Sequence, residues 1–373
     1  MITHRLPLPA PAPGHQRELL VHQFGDGDHK AYLQAGLHAD EWPGLLTLQL
    51  LMERLTQLEA EGKVLERIDI VPFANPVGMN QRIFGKTPGR FDFITGQNFN
   101  RGMAIDADDL IERVGNRLGA DGATNDALVR TELRTMVAEK AGHYEIEALH
   151  RALLSQSLDA TVMLDLHCDY EALPHLFYGD HQRDIGSRLA HCLGFPVRLE
   201  EDVRGVVAFD GTHTQPWVKL AAATQKPFAR PCFAATLELR GQNDVNETLA
   251  RRDCEGILAF LEAEGFVRDS GAKPQTQEGD SVTINVDQVK VITASNSGIA
   301  VFHREMGEHL NEGDHYADIV LLDSEGPERI AVTAPASGVL FSRTHQVLTH
   351  PGATLGMIAS DKQQIKPGKQ LSF

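Results

Sequence analysis

Cysteine is scarce in this chain and scattered: Cys168, Cys192, Cys232 and Cys254 are its only four, and no two form a CxxC pair. That spacing argues against a disulfide framework and a thiolate zinc site, and the thiols are expected to be reduced and mostly buried. Basic residues are in deficit too. With 35 Lys and Arg against 51 Asp and Glu, the formal charge is -16, a field that repels phosphate backbones and anionic lipid surfaces. Neither nucleic acid nor a membrane is therefore an expected partner. Long apolar runs are also missing. No stretch reaches the ~18 residues of a membrane span, and the opening MITHRLPLPAPAPGHQRELL interrupts with charge and proline any run a secretory signal would need. The expected location is the cytoplasm.

What is present suits a large folded enzyme. At 373 residues, 42% hydrophobic and 23% charged, the chain is long enough for a core of ~250 residues and a smaller second domain. An acidic chain can bind a small anionic substrate only where a metal and local arginines reverse the field inside one pocket. The arginines near metal-ligating residue types are therefore the ones to find.

Between Lys30 and Leu58 a short apolar run, KAYLQAG, is followed by the turn-like LHADEWPG and then by LLTLQLLMERLTQL, apolar at helical spacing. This predicts strand, loop and helix, with the helix starting near Pro43, whose missing N–H has no partner to lose at that position. RIDIVPFANP, ATVMLDL and CFAATLEL read as further strands, Asn125 to Leu158 is helical in period, and NETLARRDCEGILAFLEAEG reads as a helix. Alternating strands and helices predict an α/β layer structure with a largely parallel sheet and a ligand site at the carboxyl ends of its strands. The aperiodic, polar RDSGAKPQTQEGDS reads as a linker. It divides an expected catalytic domain, 1–270, from a small all-β domain, 282–373, whose short alternating runs are separated by Gly, Pro and Asp turns.

His38 and Glu41 lie three apart in the loop after one expected strand, and His167 lies at the end of another, far downstream. Two nearby ligands and one distant one, two imidazoles and a carboxylate, make an open zinc site with a fourth position left for water. Zinc then acidifies that water and polarises a carbonyl. Alone, an HxxE occurs often by chance. Asp165 or Asp169 is expected to orient a histidine from behind, and the sequence leaves open which. Further along, NPVGMNQRIFGKTPGRFDFITGQNFNR supplies Arg82, Arg90, Asn98, Asn100 and Arg101, planar forks and neutral donors suited to a carboxylate, and ATLELRG places Glu238 where a proton acceptor is needed. The bland readings are an ion pair of Glu238 with Arg240 and a surface pair for Arg101 worth at most ~1 kcal/mol.

GLHADEWPG, the NP turn, NFNR, DLHCD and TLELRG stand in the order and approximate spacing seen in the succinylglutamate desuccinylase/aspartoacylase family, acylase relatives of the zinc carboxypeptidases, which residues 30 to 260 resemble. The resemblance implies a three-layer zinc carboxypeptidase-like domain with a mixed, largely parallel sheet, followed by a β-rich domain. It implies one zinc on His38, Glu41 and His167, Glu238 as general acid/base, and Asn100 with Arg101 on the substrate carboxylate. A further family arginine polarises the scissile carbonyl; Arg90 is its match, with Arg82 in reserve. A family tyrosine near the substrate has three candidates, Tyr170, Tyr178 and Tyr316. The insertion before the NR pair, and NFNR in place of DLNR, leave the substrate open.

The expected activity is deacylation of an N-acyl amino acid or a similar small carboxylate-bearing amide. The alternatives are a zinc carboxypeptidase acting on peptides and a non-catalytic zinc-stabilised binding protein. The stretch APASGVLFSRTHQVLTHPGATLG resembles a lipoyl or biotinyl carrier hairpin but lacks the lysine a carrier needs, so the tail is expected to shape the pocket entrance or to form a homo-oligomer contact. His213 is the one other histidine with a suggested place beside the pocket.

Overall fold

The computed structural model describes residues 1–277 and 281–360; positions 278–280, within the expected linker, and 361–373, the end of the expected β-rich domain, lie outside the described residues. The chain opens with β1 (Ile2–Leu8), β2 (Arg17–Phe24), β3 (Lys30–Ala35), α1 (Pro43–Ala60), β4 (Arg67–Val71) and α2 (Pro76–Asn80). Three helices follow, α3 (Ala107–Val114), α4 (Gly122–Glu139) and α5 (Glu145–Ser157), and then β5 (Val162–Asp169), β6 (Glu171–Ala172) and β7 (His175–Gly179). This part ends with α6 (Arg183–Leu193), β8 (Val197–Glu201), α7 (Phe209–Thr224), β9 (Phe233–Gly241) and α8 (Glu247–Ala263).

A nine-stranded sheet runs in the order β1-β2-β4-β3-β5-β9-β7-β8-β10, where β10 is Val282–Asn285. β3 pairs in parallel with β4 and β5, β5 with β9, and β8 with β7 and β10. The β1/β2, β2/β4 and β7/β9 pairings are antiparallel. The sheet is thus mixed and largely parallel, as the sequence predicts. The N-terminal hairpin was not expected. Its first strand contains Pro7, which costs nothing there because β1 is the sheet edge and needs no donor on its outer side.

Strand β3 is buried along its whole length, the signature of a strand covered on both faces. Ala31, Leu33 and Ala35 point to one face, where α1, α6 and α8 contribute Leu48, Leu51, Leu189 and Ile257. Tyr32 points to the other and packs with Leu110, Leu133, Leu153 and Trp217 from α3, α4, α5 and α7. Even Lys30 is buried, its ammonium held by Asp69 (3.1 Å) and Asp159 (2.9 Å). None of the helices of the described residues is long and apolar enough to cross a membrane.

After β10 come β11 (Val289–Thr293), β12 (Gly298–Phe302), β13 (His309–Leu310) and β14 (His315–Val320), then β15 (Arg329–Thr333), β16 (Gly338–Arg343), β17 (Leu348–Thr349) and β18 (Thr354–Ala359). They form two antiparallel sheets, β11-β18-β16-β13 and β15-β14-β12-β17, around Tyr316, Ile319, Leu340, Leu355 and Ile358. The expected boundary puts Val282–Asn285 in the β-rich part, whereas this segment pairs with β8 and closes the catalytic sheet. A junction cluster of Val197, Leu199, Ile284, Phe341 and Met357 ties the two parts together. Phe341→Ala should therefore lower stability by ~3–5 kcal/mol. Denaturant titration checks this, and a loss under ~1 kcal/mol would mean that the junction is not a packed core.

Candidate active site

Strands β3, β5 and β9 lie side by side at the middle of the sheet, and their carboxyl ends carry the candidate residues. Beyond β3 the chain turns at Gly36, with φ +71°, into the loop bearing His38 and Glu41. Asn75, of the NP turn, braces that loop: its Nδ2 donates to the Leu37 carbonyl (2.8 Å) while its Oδ1 accepts from Gly78 N (2.7 Å). Being buried, Asn75 spends its whole amide on backbone groups that would otherwise lack partners.

Glu41 lies between two imidazoles. His38 Nδ1 is 2.8 Å from its Oε1 and His167 Nδ1 is 2.7 Å from its Oε2, and all three side chains are buried. Their ligand-type atoms fall within 4.8 Å of one another, which suits a single metal ion. On the far side of each ring sits an oxygen: Asn98 Oδ1 is 2.9 Å from His38 Nε2, and Asp165 Oδ2 is 2.9 Å from His167 Nε2, the latter off the angle of a hydrogen bond. With an oxygen behind each Nε2, loss of the Nδ1 protons to a metal would leave the Nε2–H tautomer, with both Nδ1 lone pairs facing the site. Strand geometry explains why Asp165 fills this place: residues two apart share a face, so the carboxylate stands beside the ring it orients. Gln34, donating to Asp165 Oδ1 (3.1 Å) and accepting from the Tyr32 hydroxyl (2.8 Å), extends the support into the core. Asp169 is turned elsewhere, accepting from Ser342 Oγ (2.5 Å) and Tyr170 N (2.8 Å).

Burial disfavours charge on both rings. It prevails at His38, whose pKa is lowered, while at His167 the adjacent Asp165 and Glu41 outweigh it and hold the pKa well above the usual value. Burial also opposes the Glu41 charge, but His38 and His167 outweigh it and keep this carboxyl well below its ordinary range.

Of the two arginine candidates, Arg90 reaches the ligand set and Arg82 does not. Arg90 Nη2 donates to Glu41 Oε1 (2.9 Å), and its guanidinium lies 5.9 Å from the Tyr170 ring centre. Arg82 is exposed, with no hydrogen bond or ion pair among the described residues. The Arg90 loop is pinned by Ala39 N donating to the Gly89 carbonyl (3.0 Å). Only glycine fits there: at φ +69° a Cβ would lie 2.2 Å from Asp40 N. Tyr170 is accordingly the tyrosine at the site. Tyr178 is buried against Glu200 (3.3 Å) and Tyr316 donates to the Leu355 carbonyl (3.0 Å) inside the β-rich part.

Glu238 stands opposite His167 in the β5/β9 register. Its Oε2 is buried without a hydrogen-bond partner, and Arg240 is engaged instead with Asp253, so the bland pairing of Glu238 with Arg240 does not occur. Burial first and the nearby Glu41 charge second push the Glu238 carboxyl up to about 8.

Asn100 is buried, its Oδ1 accepting from Phe209 N (2.8 Å) at the start of α7, which leaves Nδ2 as its free donor. Arg101 Nη1 donates to the Asn100 carbonyl (2.6 Å). The acidic neighbours of Arg101, Asp210 and Glu201, escaped the sequence reading because they lie on other elements. Burial, with Asp210 second, pushes Glu201 up to about 8. His213 is a core residue, with Nδ1 on the Phe209 carbonyl and Nε2 on Ser157 Oγ, each 2.7 Å away. The four cysteines are free and buried.

The β-rich part reaches the same rim. β16 pairs with β6, Arg343 Nε donates to Glu171 (2.7 Å), and the His345 ring meets Tyr170 edge-on at 4.5 Å.

Residues 28–263 match the family model of the succinylglutamate desuccinylase/aspartoacylase catalytic domain. Comparison of the sequence with curated proteins gives no match. Among solved structures, one assigned to this family from Shewanella frigidimarina shares 25% identity at a TM-score of 0.83, over 96% of this chain and 97% of that one. Another assigned to the family, from Shewanella amazonensis, shares 24% at 0.82, over 97% and 99%. The product-bound ectoine utilization protein EutE of Ruegeria pomeroyi shares the fold at 15% identity and a TM-score of 0.67, over 96% and 94%. The family model spans most of the chain and the central strand ends carry the family's donor types, so the chain belongs to the succinylglutamate desuccinylase/aspartoacylase family of acylases.

Proposed function

We propose that this acylase is a zinc-dependent deacylase that cleaves the amide of an N-acyl amino acid, or of a similar small anionic amide. The observation that carries the reading is the buried, unpartnered Oε2 of the half-buried Glu238 beside the convergent His38, Glu41 and His167 donors. Two inward-facing imidazole nitrogens and a carboxylate fit one zinc with an open position. Bound there, zinc would supply Lewis acidity toward the scissile carbonyl and lower the pKa of a water.

The chain's own groups would do the rest. Glu238 accepts the proton of the attacking water and returns it to the departing nitrogen. Its raised pKa suits a group that must both take and give a proton near neutrality. Arg90, anchored through Glu41, is aimed at the oxygen on which negative charge develops. Arg101 and the free Nδ2 of Asn100 hold the substrate carboxylate, reversing the acidic field of the chain at one point. Asn98 and Asp165 hold the two rings at the required tautomer. The His345 ring, which stands edge-on to Tyr170 at this rim, supports a small substrate over a peptide. The same acidic charge leaves nucleic acid and membranes outside the proposed partners, and the cytoplasm is the proposed location.

Amine release from a panel of N-acetyl and N-succinyl amino acids, paired with metal analysis, tests the reading. The wild type should release amine from at least one member, and Glu238→Gln should lower kcat by ~100-fold to 10,000-fold with metal content unchanged. Unchanged turnover would remove Glu238 from the reaction. His38→Ala and His167→Ala should each lose the catalytic zinc, and Asn98→Ala should weaken its binding by ~10-fold to 100-fold, measured by competition with a chelator. Arg101→Ala should raise KM far more than it lowers kcat, by the equivalent of ~1.5–3 kcal/mol of lost charged hydrogen bonding. An Arg101 effect on kcat alone would place this residue elsewhere.

A further inference from the structure

In the β-rich part, β14, a strand that carries none of the candidate catalytic residues, has an irregularity. Its pairing with β15 shifts register between His315 and Ala317. In a regular strand, positions 315 and 318 would face opposite sides of the sheet. The shift inserts one residue, Tyr316 and Ala317 are both buried in succession, and His315 emerges on the same outer face as Asp318. His303, one residue past the end of β12, arrives beside them, its backbone N–H donating to the Tyr316 carbonyl (3.0 Å). The bulge thereby gathers three donor side chains from two strands.

Their geometry is that of a ligand set. His315 Nε2 is 2.8 Å from Asp318 Oδ1 and His303 Nε2 is 3.1 Å from Oδ2, and the two rings lie 4.8 Å apart. A tetrahedral zinc with bonds of ~2.0–2.1 Å separates its ligand atoms by only slightly more, roughly 3.3 Å. One further group shares the carboxylate: Arg329 Nη1, on β15, is 3.2 Å from Asp318 Oδ2. The histidine side chains are 36% and 46% exposed, so an ion from solvent can reach them and water can fill the remaining positions.

We propose that His303, His315 and Asp318 form a surface site for a divalent transition metal of the zinc class, separate from His38, Glu41 and His167. Two imidazoles and a carboxylate select zinc, nickel or copper over calcium and magnesium. Binding locks β12 to β14 at the bulge and is opposed by Arg329, whose charge competes for the same oxygen.

The full chain is stripped with a chelator, dialysed against micromolar zinc, and its bound metal counted. The wild type should take up two zinc ions per chain. His303→Ala and His315→Ala should each take up one and hydrolyse substrate within about twofold of the wild type, their exposed positions sparing the core. Arg329→Gln should tighten the second ion by roughly twofold to fivefold, a response that a mere cluster of hydrogen bonds would not give. A wild type that binds one ion, lost in His38→Ala, would overturn the proposal, as would a second ion that survives in the His303→Ala/His315→Ala double variant. A single ion lost in His303→Ala but retained in His38→Ala would uphold this site and sink the catalytic one.

Discussion

The Glu41 carboxylate is the constraint around which the rest is arranged. Buried, it lies against His38 Nδ1 and His167 Nδ1 and accepts from Arg90 and from the backbone N–H of Cys168 (3.2 Å). An uncompensated carboxylate at that depth would cost several kcal/mol, so these groups are needed to keep it ionised and in place. Each of them is itself fixed from behind: the His38 loop by Asn75, the His38 ring by Asn98, the His167 ring by Asp165, and the Arg90 loop by the Gly89 carbonyl. Rigidity at the centre of the sheet thus becomes angular precision at the strand ends, which a metal site or a proton relay requires.

The parts of this arrangement that were legible in the sequence are those with a local signature. β5 and β9 are continuous apolar runs because helices cover both of their faces, and α1 shows its period because it packs on one side. The HxxE spacing is visible because both candidate ligands sit on one loop. The N-terminal hairpin was hidden by its prolines, which sequence reasoning takes as breakers and an edge strand tolerates. β7 and β8, HLFYG and VRLEE, are too short and too mixed to stand out.

Other parts were invisible in principle. Arg82 and Arg90 offer the same chemistry eight positions apart, and the choice between them is made by a glycine whose φ of +69° lets the loop touch the backbone at Asp40. In sequence Asn98 resembles an anion donor beside Asn100, yet it turns to His38; NFNR shows the residue type but not the direction. The long-range partners Ser342 and His345 come from a separate stretch of alternating sequence, where nothing marks them as neighbours of Asp169 and Tyr170. Sequence pattern reports which face of an element is buried, and long-range docking decides what it is buried against.

The position of β10 has a consequence for how the two parts relate. The chain crosses the polar linker and then, before entering the β-rich sheets, gives four residues back to the catalytic sheet as the neighbour of β8. A gene cut in the linker would leave β8 as a bare edge, its backbone N–H and C=O groups unpaired beside the exposed Val197 and Leu199, a template for intermolecular strand addition. The β-rich part is therefore no detachable module, and any natural exchange or loss of it would have to begin after Asn285, with the catalytic sheet keeping its borrowed strand.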